Sequence, residues 1–188
     1  MIIMSNLESW FSLSTLLWLF PAVFMVHDLE EIITVESCMK RIASLQLRRV
    51  PKLLAPMVTR LTGITTAQFA AAVLLEFIVF LPITYVAAEK GIYYLFLSCN
   101  TIMFLHVFTH LGQSILLGRY TPGVITSVLV ITPYSLVLFY RLLDQRIVSI
   151  GEVLWSIPAG LLVVPLVMSG FRLGKLLAPG KEPGGVSR

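Results

Sequence analysis

Charge is scarce in this sequence. Asp, Glu, Lys and Arg make up 13% of the 188 residues, about half the share of an ordinary soluble domain. Hydrophobic residues reach 57% and the mean hydropathy is +0.88. A soluble domain of this size has too much surface to hide that composition, so a soluble fold is excluded. Cysteine is nearly absent: Cys38 and Cys99 are the two present, without CxxC spacing. A thiolate zinc site is therefore excluded, and a disulfide is not implied. Met1 to Trp10 lack the basic flank of a signal peptide, and no small-residue cleavage site follows, so the first apolar stretch is expected to stay as a transmembrane helix. There is no internal repeat of the kind many secondary transporters carry. There is no GxSxG, P-loop, GxGxxG or HExxH either, and the last absence argues against a zincin protease. The net charge of +4 comes from basic residues flanking apolar runs, so it reads as membrane orientation rather than nucleic-acid binding.

What is present is a series of apolar runs, each near the ~20 residues that cross a bilayer as a helix. The expected fold is all-α, a polytopic transmembrane helical bundle of about five spans. They run from about Phe11 to Val35, Ile64 to Ala87, Ile92 to Leu117, Pro122 to Leu143 and Gly151 to Leu173. Polar turns at Glu89-Lys90-Gly91, Gly118 to Pro122, and Asp144-Gln145-Arg146 divide them. Residues 1–178 form one domain on this reading, and the Gly, Pro and Ser-rich tail 179–188 is expected to be disordered. Lys40, Arg41, Arg48, Arg49, Lys52 and Arg60 lie between spans one and two, and Arg172, Lys175, Lys181 and Arg188 near the C-terminus. The positive-inside rule then puts the N-terminus outside and the C-terminus in the cytoplasm. This implies a multi-pass protein of the cell inner (cytoplasmic) membrane. The loop at 37–63 is basic and amphipathic, suited to lie on anionic headgroups.

Ionisable side chains in a bilayer cost several kcal/mol and mark function or a tightly satisfied network. Span one carries His27, Asp28, Glu30 and Glu31; span two carries Glu76; span three carries His106 and His110, with neutral Asn100 and Gln113. At about 100° per residue, Glu31 lies about 40° from His27 and Glu30 about 60° to its other side. Imidazole and both carboxylates fit one arc, while Asp28 points elsewhere. His106 and His110 form an i, i+4 pair late in span three, at the depth of His27 and Glu31 in span one. Glu76, Asn100 and Gln113 are additional candidates. Imidazole and carboxylate at i, i+3 and i, i+4 suit a divalent metal (zinc, iron or manganese), as one ion or two bridged by a carboxylate. The expected ligands are His27, Glu30, Glu31, His106 and His110, with Glu30 or Glu31 doubling as a catalytic base. Two other readings stand beside the metal site: a proton or cation pathway, and a structural hydrogen-bonded network. Pro21, Pro82, Pro133 and Pro165 are expected to kink spans. Tyr134 belongs either near the cluster or in helix packing.

At His27-x-x-Glu30-Glu31, Asn100 and His106-x-x-x-His110 the sequence resembles the HXXEE-domain family of bacterial integral membrane proteins. The resemblance covers most of the chain. Gly170 best fits that family's C-terminal glycine, with Gly160 and Gly174 as rivals; Glu76 is not part of the pattern. A looser similarity is to the small membrane proteins of valanimycin-type azoxy and hydrazine biosynthesis. That similarity implies rearrangement of an O-aminoacyl hydroxylamine to form an N–N bond.

The leading expectation is a membrane-embedded, metal-dependent enzyme acting on a small or lipophilic substrate. Alternatives are a membrane enzyme of N–N bond biosynthesis, a proton or divalent-cation transporter, and a non-catalytic subunit that engages a soluble partner enzyme through its basic loop. A homo-oligomer would suit a pore.

Overall fold

A computed structural model of the chain describes residues 12–44 and 63–179. Most of the basic loop at 37–63 and nearly all of the tail at 179–188 lie outside the described residues. Among the described residues the fold is all helical. The first helix, α1, runs Leu13–Ser44 and begins where Ser12 Oγ accepts the Thr15 amide at 3.1 Å. It continues nine residues past the expected end at Val35, where an i, i+4 Glu36–Lys40 pair supports the added turns. Helix α2, Thr66–Lys90, opens with a capping box of Thr65 and Gln68 and closes at Gly91 in the left-handed region. Helix α3, Tyr94–Leu117, closes the same way at Gly118.

The last two helices are interrupted, each beside a proline. Helix α4, Val124–Asp144, widens to a π-turn over Ser127–Ile131. The Ser127 carbonyl accepts both the Thr132 amide and the Thr132 hydroxyl, the latter at 2.8 Å, just before Pro133, which has no N–H to give. Helix α5, Ile150–Leu177, breaks between Gly160 and Val163. Pro165 cannot donate to the Leu161 carbonyl and its ring crowds it. The break has a use: Ile150–Gly160 packs on α3, and Val163–Leu177 packs on α2.

Small residues set these contacts. A Cβ on Gly170 would lie 2.5 Å from Ala72 Cα, and one on Gly174 would lie 2.6 Å from the Gln68 carbonyl. This is a GxxxG face laid antiparallel on Gln68-x-x-x-Ala72. A Cβ on Gly160 would lie as close to the Ser98 carbonyl, at 2.6 Å, and Ser156 donates to Thr101 at 2.9 Å. The core between α1, α2 and α3 is aromatic. Phe20 stacks against Phe80 and Phe96 at 5.3 and 5.4 Å, and Tyr134 of α4 donates to the Leu16 carbonyl at 3.1 Å. Tyr134 is thus a packing residue, bonded about three helical turns along α1 from His27.

Among the described residues, α2, α3, α4 and α5 are long and apolar enough to cross a membrane, which points to a multi-pass membrane protein. Helix α1 is long enough too, at 32 residues, but His27, Asp28, Glu30 and Glu31 interrupt its apolar stretch.

Candidate metal centre

The buried stripe of α1 runs Leu16, Leu17, Phe20, Phe24, His27, Asp28, Val35 and Cys38, the i, i+3/i+4 spacing of one helix face. His27 therefore occupies a core position two turns beyond the Phe20 layer. On α3, Met103, Val107 and His110 are buried while His106 is exposed. The two faces meet at the histidines: ring centroids lie 5.0 Å apart for His27–His110, 4.2 Å for His106–His110 and 6.0 Å for His27–His106.

Glu31 completes the group. Its Oε1 is 3.4 Å from His110 Nε2, and His27, Glu31, His106 and His110 each offer a ligand atom with all four within 4.8 Å of one another. Four atoms bound tetrahedrally about 2.1 Å from one ion lie about 3.4 Å apart, so side-chain rotations that close the widest pair by about 1.4 Å would complete the set. The buried nitrogens His27 Nε2 and His110 Nε2 have no hydrogen-bond partner. Unpaired buried imidazole nitrogens cost free energy, and an ion shared with Glu31 would satisfy both. The donor set, three imidazoles and a carboxylate, suits zinc, iron or manganese.

Glu30 lies outside this group. Its carboxylate accepts from the Thr126 amide at 2.7 Å, the Thr126 hydroxyl, the Tyr120 hydroxyl at 2.7 Å and the Ile125 amide at 3.4 Å. One donor from the α3–α4 connection and three from the first turn of α4 thus converge on one carboxylate of α1. Partial burial of its hydroxyl, reinforced by the Glu30 carboxylate, holds the Tyr120 phenol up to about 12, with Thr34 pulling the other way, so it stays a donor. The same connection brings Gly123 over the site. Gly123 has φ +79°, and a Cβ there would lie 2.8 Å from Glu31 Oε1, His27 Cε1 and His110 Cε1 alike.

Asp28, set off the arc by its helical position, contributes no atom to the four-residue group. It is buried, its Oδ2 has no partner, and it lies within electrostatic range of Glu31 and Glu76. Packing of α2 on α1 widens the buried face beyond the arc of His27 and Glu31. Glu76 is buried on α2, also in range of Cys99, and contributes no atom to the four-residue group. Asn100 is buried, donates to the Phe96 carbonyl at 2.9 Å and leaves its Oδ1 unpaired. It sits about 15 Å up α3 from His110. Gln113 is exposed and outside the group.

Sequence reasoning missed Gly123, Thr126 and Tyr120. The available signal was the Pro122-Gly123 turn dipeptide, in a connection at the same end of the bundle as the His-Glu cluster.

The profile of a family described as "Protein of unknown function with HXXEE motif" covers residues 18–138. That segment contains all four residues of the group, with Glu30, Gly123 and Thr126, whereas Gly160, Gly170 and Gly174 lie beyond it. No curated protein and no solved structure matches the chain.

Proposed function

The chain belongs to the HXXEE family, and on that premise we propose that it is a membrane-embedded, metal-dependent enzyme acting on a small or lipophilic substrate. The observation that carries this reading is the convergence of His27, Glu31, His106 and His110, with two buried Nε2 atoms left unpaired. In this proposal those four residues hold a divalent ion. Bound there, zinc, iron or manganese would polarise a substrate oxygen or activate a water.

The chain's own residues set the rest. Glu31 is the carboxylate inside the group and the candidate base; Glu30, the other expected base, is engaged by Thr126 and Tyr120. His106 is exposed next to Leu105 and Phe108. That flank is apolar, so a lipophilic substrate would reach the ion from the bilayer. On the topology proposed here, α1 is a fifth span, the N-terminus lies outside the cytoplasmic membrane, and the C-terminus lies inside.

Metal analysis of the purified protein tests the reading. Stoichiometric zinc, iron or manganese is expected, lost in His27→Ala and in His106→Ala. A folded, metal-free wild-type protein would overturn it.

A second reading, movement of protons or divalent cations, draws on the buried carboxylates Asp28 and Glu76 and the half-buried Glu31. It requires flux in proteoliposomes that Glu76→Gln abolishes. No flux, together with bound metal, leaves the enzyme reading in place.

A further inference from the structure

Two threonines stand behind two of the histidines in the same way. His27 Nδ1 lies 2.9 Å from Thr126 Oγ1, and His106 Nδ1 lies 2.9 Å from Thr109 Oγ1. A threonine hydroxyl has one proton to give, and in both cases it is committed elsewhere. Thr126 Oγ1 donates to the charged Glu30 Oε2, with the Gly123 carbonyl farther off at 3.4 Å. Thr109 Oγ1 donates to the His106 carbonyl at 2.7 Å. Each oxygen can then only accept from the imidazole, so the proton of each ring sits on Nδ1. The lone pair is left on Nε2, and in His27 that is the buried atom without a partner.

We propose that Thr126 and Thr109 are positioning residues that fix His27 and His106 as Nδ1–H tautomers and present both Nε2 atoms to the metal, with Glu30 orienting Thr126 rather than binding the ion. Metal-bound histidines generally donate their second ring N–H to a carboxylate, carbonyl or water, which sets the ring and raises its basicity. Here a hydroxyl stands between the carboxylate and the ring, giving the order Glu30, Thr126, His27. Glu30 is suited to anchor it, because the Thr126 and Ile125 amides and the Tyr120 hydroxyl already fix its two oxygens. The inference rests on the metal reading above.

The test uses full-length protein in nanodiscs, stripped with chelator and titrated with zinc. Thr126→Val and Thr109→Val keep the shape and remove the acceptor. Each is expected to weaken zinc binding by about 10- to 100-fold, the usual loss for an outer partner of a metal-bound histidine. Thr126→Ser, which restores the hydroxyl, is expected to recover wild-type affinity. Nitrogen-15 NMR of histidine-labelled, metal-free wild type adds a readout that needs no variant: His27 and His106 should carry the proton on Nδ1. If the valine variants fail to fold, that spectrum decides. Wild-type affinity in Thr126→Val, or a proton on His27 Nε2, would overturn the inference while leaving the metal centre standing. No zinc bound by the wild type would instead sink the metal reading itself.

Discussion

Glu31 Oε1 on α1 lies 3.4 Å from His110 Nε2 on α3, a nitrogen that is buried and has no hydrogen bond. The contact joins the HxxEE segment to the HxxxH segment, and His27 and His106 close around it. Glu31→Gln keeps the side-chain shape and removes the charge. Zinc affinity is expected to fall by more than the about 10- to 100-fold typical of an outer-shell loss. Glu30→Gln should fall within that range, and isothermal titration of the two variants side by side checks the order.

Gly123 is constrained twice, by its backbone and by its neighbours. At φ +79° any other L-residue costs about 1–2 kcal/mol, and a Cβ would also press on Glu31, His27 and His110 at 2.8 Å. Gly118 has φ +59° with nothing within 4 Å of its Cβ position. Gly118→Ala should therefore lower thermal stability yet keep full metal content. Gly123→Ala should lose stability and metal together, as read by melting and elemental analysis of both variants.

The α2–α5 seam is a packing seam. Gly170→Ala and Gly174→Ala each place a methyl within 2.5–2.6 Å of α2 backbone atoms. Backbone cannot yield as a flexible side chain can, so α5 must move away. Both variants are expected to melt at lower temperature, and once folded to retain wild-type zinc stoichiometry. Loss of zinc from a well-folded Gly170→Ala protein would contradict that separation.

Glu36, one residue past the expected end of the first span, ties α1 to the start of α2. Hydrogen bonds from Lys40 at 2.7 Å and from the Thr66 amide and hydroxyl hold its carboxyl down to about 2, from an ordinary 4.5. A folded-state value below the unfolded one means the contribution is complete above the ordinary value and disappears as pH falls through about 2. The melting-temperature gap between wild type and Glu36→Gln should thus be constant near neutrality and close between pH 4.5 and 2. A gap that ignores pH would show that the carboxylate charge plays no part.

The proposed five-span topology makes a binary prediction. A reporter active only in the cytoplasm should work when fused after Leu177 and fail when fused at the N-terminus. The reverse pattern would invert the orientation, and activity at both ends would indicate an even number of crossings.

Much of the architecture was legible in the chain because bilayer physics writes it locally. A run of about 20 apolar residues and a glycine or polar turn at its end need no partner to be recognised. The helices α2 to α5 start and stop within a few residues of where the runs predict. The histidines were legible for the same reason, since an ionisable group in an apolar run stands out and helical spacing says which neighbours share its face. Local spacing could not say which way Glu30 and Asp28 would face, because that depends on where other helices dock. Packing of α2 buries Asp28, and the α3–α4 connection and first turn of α4 draw Glu30 to Tyr120, Ile125 and Thr126. The HxxEE and HxxxH pairs thus came from sequence alone, each on its own helix. Their meeting, the glycine that makes room for it and the threonine behind His27 are contacts between segments about 80–100 residues apart, and only the tertiary structure could decide them.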